Sequence, residues 1–121
     1  MSRLANIHAT VTTVLAGLGH TVRQQGSYAP GAALPETMVT YQVIDQPNGA
    51  HADNKPGSTI HRVQVAMYSK KPTIVQGADA AFKAALLPAG FLRVTGRDLQ
   101  YDHNTGHYGY TCDYRFYERE V

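Results

Sequence analysis

The sequence predicts a small α+β domain with the element order α-β-β-α-β-β, in which two β-hairpins form one mostly antiparallel four-stranded sheet and two helices pack on it. Three observations lead to this fold class. Residues 59–69 alternate with the period of two of a pleated strand and contain Val and Tyr, which favour strands. Two other stretches, near residues 3–17 and 72–87, repeat apolar residues at helical spacing. Clusters of Gly, Pro, Asn and Asp separate these elements.

The first helix is predicted over about residues 3–17. Ser2 suits the N-cap, and Gly17 and Gly19 end the helix. Its apolar residues form one stripe along the helix: Leu4, Ile7, Val11, Val14, Leu15 and Leu18. We expect this stripe to cover one face of the sheet, although a helix that binds a groove on a partner shows the same pattern.

A long connection follows the first helix. Gly19, Gly26 and several prolines interrupt any pattern, and only residues 21–23 are predicted to be briefly extended. The arm Ala29–Pro35 is stiff and uncharged. Because connections of this length in compact domains are often functional, the arm is a candidate contact surface. A surface loop packed against its own fold is the alternative.

The first predicted hairpin joins residues 37–45 to the strand at residues 59–69. Turn-forming residues occupy most of the intervening segment, 46–58, so the simplest connection is an antiparallel hairpin with a long tip. Alternation places one set of residues on a common side in each strand: Val39, Tyr41 and Val43 in the first, and His61, Val63, Val65 and Met67 in the second.

The second helix is predicted to begin at Pro72, where the missing N–H of proline costs nothing, and to stop at Pro88. Asp79 and Lys83 are spaced to form an ion pair worth a few tenths of a kcal/mol. Gly77 inside the helix costs about 1 kcal/mol relative to alanine, and we expect it to allow close packing on the sheet. The predicted buried stripe is Ile74, Val75, Ala78, Ala81, Phe82, Ala85 and Leu86.

The second predicted hairpin pairs residues 91–102, interrupted by Gly96, with residues 108–117, and residues 103–106 form its turn. One side of the last strand is rich in aromatic residues. This side is predicted to face the core, and its residues are Tyr108, Tyr110, Cys112, Tyr114 and Phe116.

Length and composition indicate one domain spanning residues 1–121. The formal net charge of +2 is too small to indicate binding to nucleic acid or to an anionic membrane. Only 17% of the residues are charged, which suggests that a partner covers part of the surface. We see no signal peptide and no membrane-spanning run, and a single cysteine excludes an internal disulfide, so a reducing cytoplasm is the expected compartment.

Six histidines raise the question of a metal site. His51 lies in the long loop, His61 begins a strand, and His103 and His107 flank a turn. Zinc requires three or four ligands that converge at about 2 Å, and no ligand spacing of that kind is present. Solvated loop histidines are therefore the preferred interpretation.

Two further patterns have a structural explanation. The segment Asp102–Gly106 imitates the start of a calcium loop, but the glutamate expected later in such a loop falls at Asp113, in mid-strand, so a hairpin turn is the better interpretation. Cys112 lies on an aromatic strand face, where a cysteine is more often buried and inert than nucleophilic. We therefore predict no catalytic residue, no cofactor, no metal and no enzyme activity.

Several stretches carry a resemblance through their order and spacing. They are Leu34–Gln42, Ala52–Lys55 and His61–Lys70, followed by Ala85–Leu86, Gly90–Phe91 and the hairpin Asp102–Tyr114. Together they resemble the tail terminator (tail completion) proteins of long-tailed bacteriophages. The resemblance covers most of the chain from residue 28 onward, and no single motif is diagnostic.

The resemblance implies helices on a β-sheet and a structural role without catalytic residues. Proteins of this family form a ring, commonly of six subunits, on the last ring of the tail tube, stop its polymerisation and present a surface to the head. The implied partners are other copies of the chain, the tail tube protein and a head connector or neck protein, without membrane or direct nucleic-acid recognition. The implied location is the head-proximal end of the virion tail, after assembly in the host cytoplasm.

We expect the partner interface to involve the Pro-rich arm, the loop within residues 47–58 and the basic end of the strand at residues 59–69. The candidate interface residues are Tyr28, Pro30, Leu34, Pro35, His51, Asp53, Asn54, Lys55, Lys70 and Lys71. Three alternatives remain open. They are another phage neck component such as a head–tail connector or stopper, a small cytoplasmic nucleic-acid-binding module, and a metal-dependent enzyme that uses the loop histidines.

Overall fold

The computed structural model describes residues 7–26, 33–45 and 58–119, which form three helices and five strands. In chain order they are α1 (Ile7–Ala16), β1 (Thr21–Gln24), β2 (Thr37–Asp45), β3 (Ser58–Ser69), α2 (Pro72–Gln76), α3 (Ala78–Leu86), β4 (Phe91–Asp102) and β5 (His107–Arg119). The predicted α+β class is confirmed. The described chain has one more strand and one more helix than the sequence predicted.

Among the described residues, one mixed sheet has the strand order β1-β2-β3-β5-β4. Both predicted hairpins, β2–β3 and β4–β5, are present, and antiparallel pairing of β3 with β5 joins them. The register brings Thr37, Ser69 and Tyr108 side by side at the end of the sheet where the β4–β5 turn lies. We call this the turn end, and we call the opposite end, where Ser58 lies opposite Arg119, the far end.

The additional strand, β1, corrects the prediction of a four-stranded antiparallel sheet. Residues 21–24 pair in parallel with Met38–Tyr41 and extend the sheet at the β2 edge. The N–H of Gln25 continues the pairing by donating to the carbonyl of Tyr41 at 2.7 Å. Four residues are too few to establish a period of two, which is why the sequence predicted only a brief extended stretch. Pairing with β2 decides that this stretch is a strand.

The second predicted helix is divided into α2 and α3 at Gly77. This residue has φ −90° and ψ 3°, outside the α-helical region, and its N–H donates to the carbonyl of Ile74 at 3.2 Å. Pro72 occupies the first turn of α2 as predicted, and the predicted ion pair between Asp79 and Lys83 forms at 3.3 Å. None of the described helices has the length and apolar character needed to cross a bilayer.

One hydrophobic core lies between the helices and one face of the sheet. All three described helices contribute to it, including Leu15 of α1, Val75 of α2 and Phe82 of α3. The sheet contributes Val39, Tyr41, Val63, Val65, Met67, Phe91, Tyr110, Cys112 and Tyr114. The predicted core face of β5 is confirmed for its central residues. Tyr108 is the exception, because it lies at the turn end and is 39% exposed.

The other face of the sheet carries no helix within the described part of the chain, and we call it the open face. Its centre is a row of small side chains in register, Thr40, Ala66 and Thr111, all of which are buried. Towards the far end, the same face carries the exposed residues Arg62 and Arg115, which lie opposite each other. The described helices therefore cover one face of the sheet, and on the other face the exposed side chains named here lie towards the far end.

A polar cluster attaches α3 to the edge strand β4. Arg93 donates through Nε to the Asp79 carboxylate at 2.9 Å and through Nη2 to the Tyr110 hydroxyl at 3.2 Å. A Cβ built on Gly96 would overlap the Tyr110 hydroxyl oxygen. Glycine at this position therefore makes room for the tyrosine, and β4 continues through Gly96 instead of being interrupted there.

The variant Gly96→Ala is expected to lower the free energy of unfolding by about 1–3 kcal/mol, because its methyl group overlaps Tyr110. Urea unfolding followed by circular dichroism measures the change. The double variant Gly96→Ala/Tyr110→Phe should recover part of the loss, since it removes the overlapping oxygen. Gly77→Ala is the matched control and should not lower the free energy of unfolding, because its methyl group meets only atoms at 3.7 Å and beyond. Equal losses in the two single variants would contradict this role for Gly96.

Candidate interface at the turn end

Four of the predicted interface residues come together at the turn end of the sheet. Leu34 and Pro35 precede β2, and Lys70 and Lys71 follow β3. Because β2 and β3 are antiparallel, the start of one lies beside the end of the other. The remaining candidates lie outside the described residues, and they are Tyr28, Pro30, His51, Asp53, Asn54 and Lys55.

Hydrogen bonds hold the segment before β2 against its neighbours. The carbonyl of Pro35 accepts from Nε2 of His107 at 2.8 Å, and the carbonyl of Glu36 accepts from the N–H of Lys70 at 3.0 Å. The Glu36 carboxylate also lies 3.4 Å from Nζ of Lys71, in an exposed pair that contributes at most about 1 kcal/mol. The two backbone carbonyls, more than this ion pair, fix the position of the segment.

Ser69 connects this segment to the start of α2. Its side chain is fully buried, and its hydroxyl lies 2.9 Å from Oγ1 of Thr37 and accepts from the N–H of Lys71 at 3.0 Å. Lys71 is the N-cap residue of α2, and no side chain caps the helix in the usual way. The buried hydroxyl therefore links β2, β3 and the backbone at the beginning of α2.

The β4–β5 turn completes the turn end. Asp102 accepts through Oδ1 from the N–H of Asn104 at 2.9 Å, and its carbonyl accepts from the N–H of Gly106 at 2.7 Å. Gly106 has φ 80°, a conformation that other residues rarely adopt. Asp113, at the position of the calcium-loop glutamate, lies in β5 and accepts from Nε2 of Gln64 at 3.1 Å. The interpretation of this segment as a hairpin turn is confirmed.

Exposed aromatic rings pack against one another beside this turn. The ring centroid of Tyr101 lies 4.7 Å from that of Tyr108 and 4.9 Å from that of His103. Both tyrosines are more than a third exposed. Tyrosine is enriched at protein interfaces. These rings therefore add an aromatic contact surface to the end of the sheet that carries Lys70 and Lys71.

The prediction of solvated loop histidines is wrong for His61 and His107. His61 and His107 belong to β3 and β5 and are only 5% and 3% exposed. The ring of His61 lies beside that of Phe116, with centroids 6.2 Å apart. The prediction failed for His107 because β5 begins one residue earlier than expected and folds that residue into the sheet. No three His, Cys, Asp or Glu side chains in residues 7–26, 33–45 and 58–119 lie close enough together to hold a metal ion.

A second exposed surface lies at the far end of the open face, and we call it the far-end patch. It comprises Ile44, Leu92, Val94, Tyr117, Arg62 and Arg115. Leu92 lies opposite Arg115, and Arg115 lies opposite Arg62, so these three share a face. The four apolar members are between 41% and 55% exposed. Aromatic and arginine side chains are enriched in protein interfaces, so this composition is typical of a contact surface.

Cys112 and Tyr114 are titratable groups buried in the hydrophobic core. Burial raises the pKa of the Cys112 thiol, which is therefore protonated and unreactive near neutral pH. Burial likewise raises the pKa of the Tyr114 hydroxyl. The prediction that Cys112 is buried is confirmed, and a buried, protonated thiol is a poor nucleophile.

No protein-family model and no curated protein sequence matches the chain. Its function has therefore to be inferred from its own residues and their geometry.

Sequence reasoning did not identify Glu36, Ser69 and His107 as parts of the turn end. Their roles come from contacts between distant parts of the chain, such as the bond that joins His107 to Pro35 across 72 positions. No local pattern marks such a contact. The far-end patch was missed for the same reason, because its members come from four strands.

The variant Ser69→Ala is expected to lower the free energy of unfolding by about 1–2 kcal/mol, because the Lys71 N–H and the Thr37 hydroxyl lose a buried partner. Thermal unfolding at several urea concentrations measures the loss. Thr12→Ala is the control, since its hydroxyl donates to the His8 carbonyl on an exposed helix surface, and a change within about 0.5 kcal/mol is expected. A Ser69→Ala variant as stable as the unmodified protein would show that the hydrogen bonds of this hydroxyl do not stabilise the fold.

Asp79 should contribute stability that disappears in acid. Burial alone would raise the pKa of its carboxyl, but hydrogen bonds from Arg93, Tyr110 and Lys83 outweigh burial and hold that pKa below its ordinary value. The contribution is therefore present above the unfolded pKa of about 3.9 and is lost as the pH falls through the lower folded value.

Asp79→Asn should reduce the free energy of unfolding at pH 7 by about 1 kcal/mol and flatten its decline between about pH 5 and pH 2. Urea unfolding at a series of pH values measures both effects. Asp98→Asn is the control, because Asp98 lies exposed on β4 outside this cluster. An unchanged acid profile in Asp79→Asn would contradict the role of the cluster.

Proposed function

We propose that this chain is a structural virion protein that caps the tail tube of a long-tailed bacteriophage. Copies of the chain form a ring, of six subunits as in the family that it resembles. The ring ends polymerisation of the tube and provides the surface for head joining. The observation that carries the proposal is the far-end patch, a group of large exposed apolar side chains on a face of the sheet that no described helix covers.

A ring requires a heterologous contact, in which one surface of each subunit binds a different surface of its neighbour. The described residues offer two unlike surfaces at opposite ends of the sheet. The far-end patch carries Arg62 and Arg115, whereas the exposed acidic residues Asp98 and Asp102 lie towards the turn end. Contact between the far end of one copy and the turn end of the next would bury apolar surface. Because the turn end also carries the exposed cations Lys70 and Lys71, net charge does not decide the orientation.

The free edge of the sheet supports the same assembly. β4 has 12 residues and pairs only with β5 in the described chain, so its outer backbone groups have no strand partner there. Long exposed edges readily accept a strand from a neighbour. Leu92 and Val94 lie on this strand and belong to the far-end patch. The edge and the patch therefore form one continuous surface for a neighbouring subunit.

Native mass spectrometry at several concentrations is expected to find a closed oligomer, with six subunits in the proposed ring. Leu92→Glu should weaken it at least tenfold, because a carboxylate would be buried in an apolar contact. Ala84→Glu is the matched control, since Ala84 lies exposed on α3, and it should leave the oligomer intact. Dissociation by the control and not by Leu92→Glu would place the contact on the helices.

The second measurement is the length of tail tubes grown from the tube protein encoded in the same genome. Added protein should shorten the tubes and bind at one end, and Leu92→Glu should do so less well. A protein that is monomeric at every concentration and leaves tube length unchanged would refute the proposal. A closed oligomer without effect on tubes would favour another neck component, such as a connector or stopper.

A nucleic-acid-binding module is the second candidate, favoured by one observation. Arg62, Arg115 and Tyr117 lie on the same open sheet face, and single strands bind to such combinations of cations and aromatic rings. Binding to a labelled oligonucleotide that falls steeply with salt and is lost in Tyr117→Ser would support this candidate. Absence of binding at low salt would exclude it.

A further inference from the structure

We draw no further inference here: the strongest candidate, the cavity at the turn end of the sheet that Leu34, Met38, Tyr68 and Leu99 help to line, is largely apolar, and nothing in the structure shows what occupies it.

Discussion

Antiparallel pairing of β3 with β5 is the interaction on which the rest of the structure depends. It runs without a register shift from Ser58 opposite Arg119 to Ser69 opposite Tyr108, whereas the outer antiparallel pairs each contain a shift. Because side chains alternate along a strand, this one register decides for both hairpins which residues face the helices. A slip of β3 by one residue would turn Val63 and Val65 away from the helices and would turn Arg62 towards them.

The same pairing explains why the domain has two unlike ends. It brings the start of β5 beside the end of β3, and there the segment before β2, the Lys70–Lys71 pair and the β4–β5 turn collect. At the other end it places Arg62 and Arg115 on the face that no described helix covers. Head-to-tail assembly needs two different surfaces on one rigid body, and the sheet supplies that rigid connection.

The polar groups at the turn end differ in how completely they are satisfied. The Ser69 hydroxyl has partners in β2 and at the start of α2, so it serves the fold. His107 is equally buried, but only one of its ring nitrogens is used. The other ring nitrogen, Nδ1, is buried without a partner among the described residues, as is the hydroxyl of Tyr114 in the core.

The sequence alone determined the elements whose pattern is local. The alternation of residues 59–69, the proline at the start of α2, the ion pair of Asp79 with Lys83 and the Asp102–Gly106 turn were all predicted correctly, because each depends on neighbours within a few residues. The resemblance to tail terminators also came from the sequence, and it stays a prediction. Tertiary structure decided the rest: the parallel strand β1, the division of the second helix at Gly77, the burial of His107 and the far-end patch. Each of these depends on pairing or packing between residues distant in the chain, and no local sequence pattern specifies which distant residue will be the partner.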